Sequence, residues 1–327
     1  MTLRIPKSPP SVDVASSVSV EEMEALLSEW FDGQVVLTSS GRSALLITLQ
    51  ELGFDRYTHR VAVPQMISKC VLDAVTCCAF PVDAAGRSAA DATIQYPQYG
   101  FIQLTRPSGV VVEDIAHAFF SVPQKDAPRT IATFSLPKFF STTTMVGGVI
   151  VADPSLARRL RERRKSAPVK SAETLAKEAS IFRTFSGGGS GELSLLYTAR
   201  LLNPRIESVE LGGLPTKRSE IEEIRRKRRD IMETLLVAAR HLVPRGWGDM
   251  LRDHLPYAFP VFASGDVLER LNRELREAGI ESDLYRIDAD RDMMHPRYEP
   301  MLLIPYSHLV SEEVLKDTGS ILRSRSV

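Results

Sequence analysis

Cysteine is scarce in this chain of 327 residues: there are three, Cys70, Cys77 and Cys78, all within nine positions. They form neither a C-x-x-C pair nor a spaced framework, which excludes a disulfide scaffold and a thiolate metal site and predicts reduced, buried thiols in a cytosolic protein. Net charge is also missing. Forty-one basic and forty-one acidic side chains cancel, so no overall field draws nucleic acid or an anionic membrane, and any bound anion must be caught locally. No run of eighteen apolar residues is present, and the first seventeen positions hold two cations and no apolar stretch of signal-peptide length. No membrane partner is expected, and the location expected is cytoplasmic. His59, His241, His254, His295 and His308 show no metal-ligand spacing, so no metal is expected. There is no internal repeat.

Ordinary globular material remains, 43% hydrophobic and 25% charged, long enough for one large domain and a smaller one. Residues 1–20, with Pro6, Pro9 and Pro10, read as an extended arm, and a helix follows through Met23, Leu26, Leu27 and Trp30. Strand-like and helix-like segments then alternate. Strands are expected at Val35–Thr38, Arg60–Pro64, Phe101–Leu104, Gly109–Glu113, Thr130–Ser135 and Gly148–Ala152, with helices at Ser43–Leu52 and Cys70–Cys77. This alternation predicts an α/β fold whose sheet is covered on both faces.

The character changes beyond residue 155. Leu156–Lys165 reads as a strongly basic helix, Phe185–Gly191 as a flexible glycine-rich break, and a helical stretch runs on to Leu202. A long charged helix (Glu220–Arg240), a strand (Ala258–Phe262), a helix (Val267–Ala278) and a closing strand (Met301–Pro305) make the tail a separate α+β lobe. The expected domains are a large one over 21–205 and a small C-terminal one over 206–327. The cations of the basic helix can contact a diphosphate or form a solvated face, and the second reading is favoured.

Two segments carry the chemistry. Val110-Val111-Val112 ends in Glu113-Asp114, and Phe134-Ser135-Leu136-Pro137 ends in the lone Lys138 ahead of Gly147-Gly148. In an open α/β sheet ligands sit beyond the carboxyl ends of the strands, so Asp114 and Lys138 can converge on one crevice. Pyridoxal 5'-phosphate (PLP) needs both: a carboxylate keeps its ring nitrogen protonated, and a lysine amine stores its aldehyde as an imine. His117, three residues after the acid, can reach the phenolic oxygen or lie against the ring. Ser39-Ser40-Gly41-Arg42-Ser43 stands between a strand and a helix, where free N–H groups and the helix dipole bind phosphate. It reads equally as a serine N-cap. Ser135 adds a hydroxyl. Taken singly, Asp114 is also a helix cap and Lys138 a turn lysine; the joint arrangement favours the cofactor.

These residues, with Val61-Ala62-Val63-Pro64, Pro81-Val82-Asp83, Ala116-His117-Ala118, Gly147–Val151 and Ile304-Pro305-Tyr306-Ser307-His308, occur in the order found in the DegT/DnrJ/EryC1/StrS sugar aminotransferases. The chain resembles that family of fold-type-I PLP enzymes from about residue 30 to about 325. The resemblance implies a large domain with a mostly parallel central sheet, a small C-terminal domain, and a homodimer with a shared active site. It also implies transfer of an amino group from an amino acid, commonly glutamate, to a keto group on a nucleotide-linked sugar, as in polysaccharide biosynthesis. Lys138 would form the imine and move the proton; Asp114, His117, Gly41, Arg42, Ser43 and Ser135 would hold the cofactor.

The pattern is also altered. Phe134-Ser135 stands closer to the lysine than is usual, and Met145-Val146-Gly147-Gly148 replaces the common G-E-G-G. No ring-stacking aromatic follows Pro64 among Gln65, Met66, Ile67 and Ser68, and no G-x-N is recognisable near Gly187–Glu192. Two other readings follow: elimination, decarboxylation or carbon–carbon bond formation on the same fold, and a non-catalytic binding or regulatory protein.

Overall fold

The computed structural model describes residues 18–64, 67–84, 89–97, 99, 109–121, 130–140, 142, 144–184, 191–288 and 298–324. Helix α1 (Val20–Phe31) starts at a capping box in which the Ser19 side chain accepts from Glu22 N–H while Glu22 reaches back. Asp32, left-handed at φ 52°, ends it. Strand β1 (Gln34–Thr38) follows, then α2 (Gly41–Glu51), capped by Ser40. Next come β2 (Arg60–Val63), α3 (Lys69–Thr76), β3 (Phe80–Asp83) and β4 (Ala92–Gln95). Strands β5 (Val110–Asp114) and β6 (Thr130–Ser135) each run into a single 3-10 turn, Ile115–His117 and Leu136–Lys138, before β7 (Gly147–Val151).

These seven strands form one sheet in the order β1-β7-β6-β5-β4-β2-β3. Strands β6, β5, β4, β2 and β3 are mutually parallel, and β7 is antiparallel to both of its neighbours. The amino end of β7 is therefore level with the carboxyl ends of β1 and β6: Gly147 faces Thr38 on one side and Ser135 on the other.

The period-2 alternation of the strands sorts their side chains to two faces. Val36, Ile131, Val149 and Val151 pack with Ala44 and Ile47 of α2 and with Leu156 and Leu160 of α4 (Pro154–Ser166). Val61, Ile94 and Val112 extend that side under Leu45 and Leu49 of α2 and Val71 and Val75 of α3. Val35, Leu37, Phe134 and Ile150 point the other way, into a larger core shared with α1 and most of the C-terminal half.

That half contains α5 (Ala172–Thr184), α6 (Gly191–Leu202), α7 (Arg218–Ala238), α8 (Trp247–His254), β8 (Ala258–Phe262), α9 (Gly265–Glu277), β9 (Asp283–Asp288), β10 (Tyr298–Pro305) and α10 (Glu312–Arg323). Strands β8, β10 and β9 make a second, antiparallel sheet. Among the described residues no helix is long and apolar enough to cross a membrane.

The expected strand Phe101–Leu104 and the break at 185–190 lie outside the described residues. Two expectations are corrected. The cysteines are not all buried: Cys78 is, and burial pushes its thiol up to about 12, but Cys70 is half-buried and Cys77 exposed. The basic helix α4 is not simply a solvated face. Arg164 is buried and paired with buried Glu24, and Arg161 meets the same carboxylate at 2.9 Å, which fastens α4 to α1.

Candidate active site

At the carboxyl edge of the large sheet lies a cavity of about 240 Å³. Its wall takes Asp114 from the end of β5, Ser135 from the end of β6, Pro137 and Lys138 from the following 3-10 turn, and Ser40, Gly41 and Arg42 from the β1–α2 junction. Asp114 accepts a hydrogen bond from Ala116 N–H at 3.1 Å, so it caps the turn and lines the cavity at once. Burial raises its carboxyl above the ordinary 3.8, against the opposing pull of Lys138, the Ala116 amide, Arg42 and the Thr133 side chain. The Lys138 ammonium stands 5.2 Å from the centre of the Tyr257 ring, and the Arg42 guanidinium lies 3.8 Å over Tyr197.

Five of the residues expected from sequence, Asp114, Lys138, Gly41, Arg42 and Ser135, thus share one cavity. His117 and Ser43 are not among the residues that line it. The His117 ring sits behind the wall, its Nε2 2.8 Å from Tyr96 Oη and its centroid 4.7–5.0 Å from those of Tyr96, Tyr99 and Tyr257. Ser43 is used up in the cap: its N–H donates to Ser40 Oγ at 3.2 Å and its hydroxyl to the Ser40 carbonyl at 2.9 Å.

Residues 28–186 match a family model described as "Putative PLP-dependent aminotransferase". Among solved structures, the chain is similar to a DegT DnrJ EryC1 StrS aminotransferase from Brucella abortus at 17% identity and TM-score 0.64, over 93% of this chain and 89% of the other. It is also similar to the sugar aminotransferase CalS13 from Micromonospora echinospora, at 16% identity and TM-score 0.65, over 98% and 100%. NtdA from Bacillus subtilis with bound cofactor PMP matches at 15% identity and TM-score 0.62, over 94% and 77%. No curated protein matches. The chain has the fold of the DegT/DnrJ/EryC1/StrS aminotransferases. The matched segment, just under half of the chain, is similar to PLP-dependent aminotransferases.

The cavity of this aminotransferase fold fits PLP on its own chemistry. Helix geometry leaves the Gly41 and Arg42 amides without intrahelical partners, at the positive end of α2. The approach around them is so close that a Cβ on Gly147 would stand 2.1 Å from the Gly41 nitrogen, and one on Gly41 2.8 Å from the Phe134 carbonyl oxygen. A phosphate has amides and a guanidinium to meet, a ring nitrogen has a buried carboxylate, and an aldehyde has an amine.

Sequence reasoning missed Tyr197, Tyr257, Phe182, Met145, Cys70, and Asp283 with Tyr285 from β9, all of which line the cavity. They come from distant elements with no fixed spacing. It also missed what holds the β1–α2 turn. Buried Arg200 of α6 donates to the Ser39 carbonyl at 3.0 Å and pairs with Glu178 at 2.5 Å and Glu210 at 2.6 Å; Lys170 completes the cluster. Ser39 Oγ returns a bond to the Arg200 carbonyl at 2.8 Å.

Proposed function

We propose that this aminotransferase moves an amino group from an amino acid such as glutamate to the keto group of a sugar carried on a nucleotide, and that it works as a homodimer sharing its active sites. The observation that carries the reading is the placement of Asp114 and Lys138 on the wall of one cavity, at the ends of two adjacent parallel strands. Bound PLP supplies an electron sink that makes a carbon–hydrogen bond beside nitrogen acidic. Asp114 would hold the protonated ring nitrogen, Lys138 the aldehyde, and Gly41, Arg42 and Ser135 the phosphate. Lys138 Nζ would then take the proton from the α-carbon of the donor. Tyr257 stands beside Lys138 Nζ and walls that side of the amine. Asp283 and Tyr285 offer polar groups to a hydroxyl-rich acceptor, which supports a sugar.

Borohydride reduction of the PLP-loaded protein, followed by peptide mass analysis, tests the assignment. The mark is expected on the peptide bearing Lys138, and Lys138→Ala should abolish both mark and turnover while melting normally. A mark on another lysine, or full activity in the variant, would sink it. Glutamate added without acceptor should release about one equivalent of 2-oxoglutarate per loaded site, which separates transamination from elimination or decarboxylation.

A further inference from the structure

We propose a second ligand site, in the cavity between the end of α1 and the first half of α7, that takes a phosphate ester carrying a planar ring, of the nucleotide class. The cavity is about 510 Å³, ample for such a ligand, and shares no lining residue with the Lys138 cavity. The inference does not rest on the transamination reading.

Its charges are unbalanced in a specific way. Of the arginines that line it, Arg218 is committed to Glu222 at 2.9 Å and Glu29 at 3.2 Å, and Arg226 to Glu223 at 2.8 Å and Asp230 at 3.2 Å. Arg225 and Arg229 have no carboxylate within 4.0 Å among the described residues. They also act on each other: burial and the neighbouring Arg229 charge both hold Arg225 below the ordinary guanidinium range. The Nε of Arg225 is fully buried and has no hydrogen-bond partner. A buried donor left unmade is costly, and two unneutralised guanidiniums add repulsion. A phosphate or diphosphate on their terminal nitrogens relieves that repulsion, because it takes two forked donors at once.

The apolar wall supplies the other half of the ligand. The Arg225 guanidinium lies 5.9 Å from the Trp30 ring centre, and buried Phe31 and Phe120 floor the cavity beside it. An indole next to paired arginines suits a planar base joined to an anion. Asp32 at the rim is an acceptor for sugar hydroxyls.

The chain has two tryptophans, and Trp247 packs elsewhere, against Phe262. In a Trp247→Phe background of the PLP-loaded protein, emission therefore reports Trp30 alone. Uridine diphosphate, adenosine diphosphate and inorganic pyrophosphate are titrated by fluorescence and calorimetry. A saturable Trp30 response to a nucleoside diphosphate is expected, weakened about tenfold or more by Arg225→Gln and again by Arg229→Gln. Melting curves check that both variants fold; Arg229→Gln, which removes a like charge, should melt no lower than its parent. Absence of any response to either nucleotide at millimolar concentration overturns the site, and so does binding that survives both substitutions. Equal affinity for pyrophosphate and the nucleotides overturns the planar-ring assignment.

Discussion

Asp114 is under two opposed demands. A buried carboxylate is costly, and here burial outweighs Lys138, Arg42 and the Ala116 amide, so its carboxyl titrates above 3.8. Above 3.8 the unfolded chain releases this proton before the folded one does; folded stability therefore falls as pH rises through the window. Asp114→Asn removes that cost. Without cofactor the variant should melt above the parent at neutral pH, with the gap closing as pH is lowered toward 3.8, while PLP affinity drops and turnover falls about a hundredfold or more. A lower melting temperature in cofactor-free Asp114→Asn would show that the carboxylate is structural. Gly147 faces a steric demand instead: a Cβ there meets the Gly41 nitrogen at 2.1 Å and the Phe134 carbonyl at 2.6 Å, both backbone atoms. Gly147→Ala should therefore lose about 1–3 kcal/mol or more in a denaturant titration and load PLP poorly. The sequence makes such residues readable because chemistry dictates their type and strand ends dictate their place. It does not reveal Tyr257 or Tyr285, which reach the cavity only through tertiary packing. The three-residue offset of His117 was ambiguous on paper: a single 3-10 turn sends its ring toward Tyr96 rather than into the cavity wall.

Elements bring a different dependence. The β1–α2 junction, which carries Ser40, Gly41 and Arg42, is held from behind by α6 through Arg200, whose partners Glu178 and Glu210 come from α5 and from the 3-10 turn Ser208–Leu211. Removing one member of such a buried cluster leaves uncompensated charge. Arg200→Met should destabilise by about 3–5 kcal/mol, read as a shifted denaturant midpoint, because Lys170 alone faces two carboxylates. It should also weaken PLP binding; a variant with the parent midpoint would mean the cluster contributes nothing. No spacing rule announces this cluster, since Lys170, Glu178, Arg200 and Glu210 belong to four segments. The strands with strong β-branched or apolar runs, β1, β6 and β8, coincide with their expected positions to within a residue. Strand β3 did not stand out because it is a partly exposed edge beginning Phe80-Pro81, and β9 because Asp283, Arg286 and Asp288 dilute its apolar residues. Helix α10 carries Gly319, and α8 follows Gly246 and contains Gly248, so local propensity obscures both.

Across the whole molecule, the largest core joins α1 and the large sheet to α7, α9, α10 and the small sheet, so a loss of packing in the C-terminal half reaches Tyr257 on the cavity wall. Acid is the condition that should expose this. His308, three residues beyond β10, is held down to about 4, first by burial and then by the Arg228 and Lys227 charges, and its Nδ1 is buried without a partner. Burial also lowers His254 at the end of α8. A histidine that stays neutral in the fold but charges in the unfolded chain makes stability fall as pH drops from 6.5 toward 4, since the unfolded state then binds more protons. Stability contributed in this way is complete above 6.5. His308→Gln keeps a neutral polar side chain and removes the titration, so its melting temperature should fall less between pH 7 and pH 5 than that of the parent, with the two converging in slope above pH 7. Cofactor release, followed by absorbance, should track the same difference, because Tyr257 and Tyr285 line the cavity from the same C-terminal half as His308. Identical pH profiles in the two proteins would remove His308 from the account and leave acid lability to the carboxylate clusters of the large sheet.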